Sequence, residues 1–166
     1  MANNTGWVAG RGVGFTFTSM FAGADLSGLA NGSSVLSSLS GISNQSSLDQ
    51  LADISLENTI ASATITAGAY IAFWIAALGN DGSTYGDGNL VAGTAKAYTP
   101  GWYPAAIMSW ITLSAGLTKL VGYAPQIVLP ANSFKWIIQN NSGVTWSTTT
   151  ANNVCQYITE NVSLNS

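Results

Sequence analysis

The sequence predicts an all-β protein, a jelly-roll-like antiparallel β-sandwich with an extended N-terminal arm. Three observations predict it. From residue 47 onward the chain breaks into short apolar runs, rich in aromatic and β-branched residues and punctuated by Gly, Pro, Asn or Ser. In the clearest run, Phe134, Trp136 and Ile138 recur every second residue, which is the period of a strand. Residues 1–46 have a different texture, dense in Gly and Ser, and such composition favours extended chain.

The 166 residues make one domain's worth of chain, enough to bury a core. Two units are expected within it: an arm over residues 1–46 and a sandwich over residues 47–166. Only 7% of residues are charged, against roughly 25% in an ordinary soluble protein. The four cations, Arg11, Lys96, Lys119 and Lys135, are scattered and the net charge is −3, so a phosphate backbone finds no basic cluster to bind. Nucleic acid is therefore not an expected partner. Interface cores are poor in charge and rich in aromatics, so a surface partly covered by neighbouring subunits is preferred over a neutral, hydroxyl-covered monomer. The N-terminus, MANNTGWVAGRG, lacks a basic start followed by an apolar run. The longest apolar stretch, AGAYIAFWIAALG, is about a dozen residues, short of the roughly 20 that span a bilayer. A soluble protein made in the cytoplasm, with no membrane partner, is expected.

Within the arm, Leu26, Leu29, Val35, Leu36, Leu39 and Ile42 are spaced singly among small residues, as if to bury one at a time on another surface. A pair of irregular edge strands of the same domain is the alternative. LDQLADISLENT then offers Leu51, Ile54 and Leu56 and turns at Asn58. In the next run, Tyr70, Ala72, Trp74 and Ala76 alternate with Ile71, Phe73, Ile75 and Ala77. Both faces are apolar, which suits a strand buried on both sides. A short buried helix is the alternative, and the β-branched and aromatic content favours the strand. Asp81-Gly82 and Asp87-Gly88 mark turns. The stretch APQIVLPANSFKWIIQNNSGVTW reads as two strands joined at Pro130 into a late hairpin, with Phe134, Trp136 and Ile138 inward and Lys135 and Gln139 outward.

Chemistry is sparse. The chain has no histidine, which removes Ser-His-Asp and Cys-His catalysis. The single cysteine, Cys155, lies in a strand-like run and reads as a small core hydrophobe. Asp49, Asp53, Glu57, Asp81, Asp87 and Glu160 are candidates for paired carboxylates, but turn and strand positions explain the acidic residues without catalysis. Asn80, Asp81, Ser83, Asp87 and Asn89 gather oxygen ligands of the kind Ca²⁺ takes, without the EF-hand spacing, and an ordinary loop is the preferred reading. Gly10 to Gly14 lacks the Lys-Ser/Thr of a phosphate loop. No enzyme activity and no cofactor are expected.

Four blocks, taken in order, carry a resemblance: LADISLENT, GAYIAFWIAALGNDGSTYGDG, LPANSFKWIIQNNSGVTW and NNVCQYITENV. Over Leu48 to Leu164 they resemble a widespread family of small bacteriophage virion proteins with a β-sandwich fold. Jelly-roll cement or decoration proteins of tailed-phage heads are the nearest functional model. The resemblance implies a trimer on the capsid surface, clamped over junctions between hexamers and pentamers, with the major capsid protein and further copies of itself as partners. This chain departs from the pattern in being poorer in Arg and in carrying GWYPAAIMSW. The residues expected to make capsid or inter-subunit contacts are Trp7, Phe15 and Phe17 in the arm and Trp102 and Tyr103 in a Pro-Gly-rich loop. The alternative is a tail, fibre or head-surface adhesin whose loop aromatics hold host glycans.

Overall fold

The computed structural model describes residues 17–63, 65, 68–79, 81–85, 90–97, 103–109 and 117–160. In chain order the elements are β1 (Thr18–Ser19), the single-turn helix α1 (Gly23–Leu26), β2 (Ser33–Leu36), β3 (Leu51–Ala63), β4 (Tyr70–Ala77), β5 (Tyr103–Ser109), β6 (Leu117–Val128), β7 (Phe134–Asn141) and β8 (Asn153–Glu160). They form two four-stranded sheets, ordered β1-β8-β3-β6 and β2-β7-β4-β5. Among the described residues every strand pairing is antiparallel. Four of the pairings nest: β1 with β8, β2 with β7, β3 with β6, and β4 with β5. The chain is an antiparallel β-sandwich, as its alternation predicts.

The core lies between the sheets and follows from period two. On β3, Ala52, Ile54 and Leu56 are fully buried, whereas Glu57 is exposed and Leu51, Asp53 and Ser55 are half-buried. Leu120 and Ala124 of β6 and Cys155 and Tyr157 of β8 join them. The facing sheet supplies Val35, Ile71, Phe73, Ile75, Phe134, Trp136 and Ile138. Each large aliphatic or aromatic side chain so buried contributes about 1.5–3 kcal/mol. Phe134 and Trp136 pack edge to face, with centroids 5.5 Å apart. The inward set expected for β7 is thus the set that fills the core.

A second apolar cluster covers the outer face of the β2-β7-β4-β5 sheet. Leu36, Ala72, Trp74, Ala76 and Ile137 lie under Leu90 of the β4–β5 connection, with Tyr70 and Tyr85 packed against them. That connection is stitched down by bridges from Leu36 to Ala92, Ser34 to Lys96 and Leu78 to Tyr85. Strand β4 is therefore buried on both faces, as predicted. The same cover corrects the expectation that Lys135 and Gln139 face water. Gln139 is buried. Lys135 is half-buried, its ammonium 5.2 Å from the Tyr85 ring centroid and donating to the Ser37 carbonyl at 3.3 Å.

Three further expectations change. The arm drawn over residues 1–46 is part of the sandwich from Thr18 onward. There β1 and β2 pair within the two sheets, and Met20, Phe21, Leu26, Leu29 and Val35 are buried in the common core. Singly spaced apolar residues find pockets in their own domain, and the edge-strand alternative describes the segment. Asn58 is not a turn, because β3 continues through it to Ala63 with partners on both sides. The Pro130 segment does not close a hairpin: β6 and β7 belong to different sheets, and the turn carries the chain from one to the other. Asn44 holds that crossing, donating to the Pro130 and Asp49 carbonyls at 2.7 Å each.

Candidate interaction face

The outer face of the β1-β8-β3-β6 sheet differs from its counterpart. Its residues follow from register. Glu57 lies between Val154 of β8 and Val121 of β6, Ser55 lies between Gln156 and Tyr123, Asp53 pairs with Ile158, and Leu51 pairs with Val128. Val121, Tyr123 and Val128 are 63%, 57% and 58% exposed, and Val154 is 40% exposed. A single exposed apolar residue is ordinary, but four on one sheet face, set among polar neighbours, make that face a candidate interaction surface.

The polar groups on this face engage one another. Lys119 pairs with Glu57. Both side chains are about half exposed, so the pair contributes at most about 1 kcal/mol. The Tyr123 hydroxyl donates to the Asp53 carboxylate, and the Gln126 N–H donates to its other oxygen at 2.8 Å. These bonds close a β-bulge. Pro125 and Gln126 of β6 stand opposite Asp53 alone, and Gln126 adopts φ +57°. A bulge with a proline on the last strand of a sheet blunts edge-to-edge pairing and leaves the face as the route to contact.

At one end the face runs into a pocket of about 270 Å³ lined by Ile75, Ala77, Val128, Leu129 and Pro130. Val128 and Leu129 also line an adjoining depression of about 300 Å³ with Asn44, Leu48 and Asp49. Val128 thus links the sheet face to both concavities.

Of the expected contact residues, Phe17 immediately precedes β1 and is 37% exposed. Tyr103 begins β5 in the other sheet, its backbone paired with Ile75. The structure does not bring these two together. Trp7, Phe15 and Trp102 lie outside the described residues. Val121, Tyr123 and Val128 are not marked by the sequence because β6 reads LTKLVGYAPQIV, apolar on both faces, and Val154 of β8 is not marked because it reads as one more apolar residue of a strand-like run. Alternation marks the strand, but only the topology says which face is bare.

Asp53 and Glu57 are four residues apart on one strand, roughly 13 Å at 3.3 Å per residue. Paired-carboxylate glycosidases hold theirs within about 5–9.5 Å. Asp81 closes its own turn, accepting from the Ser83 and Thr84 N–H groups at 3.0 and 2.9 Å and from the Thr84 hydroxyl at 2.5 Å. Those bonds, the Thr84 hydroxyl foremost, lower its pKa to about 2. Asn80, Asp87 and Asn89 lie outside the described residues, among which no three His, Cys, Asp or Glu side chains gather as a metal site. Cys155 is buried with its sulfur 3.3 Å from that of Met20, and burial pushes its thiol pKa well up. Among the described residues no helix is long and apolar enough to cross a membrane. No protein-family model, curated protein or solved structure matches the chain.

Proposed function

We propose that this chain is a non-enzymatic jelly-roll protein that binds the outer surface of a bacteriophage capsid and stabilises it. Two lines support the reading. The nested pairings are what results when one long antiparallel hairpin is wound across two sheets, as in a jelly roll. The four sequence blocks resemble small phage virion proteins. The observation that carries the function is the exposed outer face of the β1-β8-β3-β6 sheet, where Val121, Tyr123, Val128 and Val154 stand among polar neighbours. Its ionic groups are matched within the face, and its valines and Tyr123 are exposed. Such a surface suits a broad contact of low charge.

Cementing works by linkage. A protein that binds the assembled lattice but not its free subunits stabilises the lattice by RT ln(1 + [L]/Kd), about 2.7 kcal/mol at a hundredfold excess over Kd. Within this reading the protein acts as a homotrimer on the major capsid protein. Trp7 and Phe15 of the first 16 residues, Phe17, Trp102 and Tyr103 supply further contacts.

The test is co-sedimentation of the protein with expanded capsids of its source phage, using wild type and a Val121→Lys/Val154→Lys variant. Both positions are exposed, so the variant keeps its fold, as its circular dichroism checks. The expected result is binding by wild type and at least a tenfold loss in the variant. Equal binding by both would overturn the role of the face. Immunogold confined to tail or fibre tips would overturn the capsid assignment.

A further inference from the structure

Asn58 lies mid-strand in β3 with no solvent exposure. Neither its Oδ1 nor its Nδ2 has a hydrogen-bond partner. Directly across the β3–β8 ladder is Asn153, also buried. Its Nδ2 donates to the Ser147 carbonyl at 2.7 Å, which fixes the orientation of the amide. Its Oδ1 is left without a partner. On the other side of Asn58 the ladder partner is Leu120, fully buried and apolar. Two inward amides thus stand side by side, at the roughly 4.5–5.5 Å Cβ spacing of a direct cross-strand pair.

Buried polar atoms almost always find a partner, because a dry, unbonded amide is costly. A direct Asn58–Asn153 bond answers two of the three atoms, Nδ2 of Asn58 and Oδ1 of Asn153. It strands Oδ1 of Asn58. One water answers all three. A water can accept from the amide N–H that lies on the same side as the carbonyl oxygen while donating to that oxygen, closing a ring with a single Asn side chain. Its second hydrogen remains for a neighbouring acceptor. Buried waters typically make about three hydrogen bonds, the number offered here.

We propose that the Asn58–Asn153 pair is a binding site for one ordered, buried water. This water accepts from Asn58 Nδ2 and donates to Oδ1 of both residues. It links β3 and β8, the two central strands of their sheet, through their side chains as well as their backbones.

The experiment is hydration NMR on the ¹⁵N-labelled full chain. The Asn58 side-chain N–H protons are expected to show a cross-peak to water, with the sign of a molecule resident longer than the protein's tumbling time. Water ¹⁷O relaxation dispersion then counts long-lived waters in wild type and in Asn58→Leu. The expected change is the loss of one. Absence of the cross-peak in wild type overturns the proposal, and needs no variant to fold. An unchanged count in a folded Asn58→Leu protein also overturns it, since the cross-peak would then come from exchanging hydroxyls near Asn153.

Discussion

Replacing Asn140 by alanine tests how the closing turn of β7 is held. Asn140 is fully buried. Its Nδ2 donates to the Leu29 carbonyl at 2.8 Å and to the Val144 carbonyl at 2.7 Å. Its Oδ1 accepts from the Ser142 N–H at 3.0 Å and from the Ser142 hydroxyl at 2.6 Å. The side chain therefore folds the NNSG turn and ties it to the segment before β2. Alanine removes all four bonds, but not all their partners are orphaned. The Leu29 carbonyl keeps the Trp146 N–H at 3.2 Å, and the Val144 carbonyl keeps the Ser142 hydroxyl at 3.4 Å. The Ser142 N–H loses its acceptor outright. Two bonds without replacement at about 1–1.5 kcal/mol each, plus one orphaned buried donor, give a loss of roughly 3–4 kcal/mol. With a slope of about 2 kcal/mol per molar urea, the unfolding midpoint falls by about 1.5–2 M. Tryptophan fluorescence follows the transition. Asn141→Ala is the control: its side chain is half-buried, its Nδ2 finds no partner, and its loss is expected to cost under about 0.5 kcal/mol. A loss below about 1 kcal/mol for Asn140→Ala, or equal losses for the two neighbours, would refute the reasoning.

Deleting residues 1–16 is expected to leave the near-ultraviolet circular dichroism of the sandwich intact. Deleting residues 1–46 removes β1, β2 and their buried side chains and is expected to abolish it; a folded 47–166 fragment would restore the independent arm. For Asp81 the folded pKa of about 2 lies below the ordinary carboxylate value of 3.8, so its turn is favoured above pH 4 and loses that support as pH falls through 2. The Thr84 amide shift is expected to titrate near pH 2 and to stop titrating in Asp81→Asn; a midpoint near 4 would contradict the turn. The Cys155 thiol is expected to react with a disulfide reagent at pH 8 at least a hundredfold more slowly in the native protein than in urea, since it is both buried and held protonated. Equal rates would place it at the surface.

Much of this fold is legible where local pattern and burial coincide. Both faces of β4 are apolar in sequence, and both are buried. Phe134, Trp136 and Ile138 alternate, and all three reach the core. Cys155 is the core hydrophobe its setting implies. What failed depends on distant chain. Asn58 carries a turn-forming side chain, yet its backbone is held by strands on either side, and that ladder overrides local preference. The Pro130 turn has the residues of a hairpin, but nothing local encodes which sheet the next strand joins. Gly and Ser between Met20 and Val35 give the look of a linker, although the apolar residues among them each have a place in the core. The interaction face is the hardest case. Val121 and Leu120 are equally apolar, and only the folded chain shows that Leu120 is buried and Val121 exposed.

The nested pairing also has a consequence in time. Strands made first wait longest for their partners. Thr18 of β1 pairs with Tyr157, synthesised about 140 residues later, a wait of roughly 7–30 s at about 5–20 residues per second. β2 waits for β7, about 100 residues later or roughly 5–20 s, while β5 follows β4 within a few seconds. Met20, Phe21, Leu26 and Leu29 therefore emerge from the ribosome with no pocket to enter. Among the described residues β1 pairs only with β8, so it has no partner strand until the last strand has been synthesised.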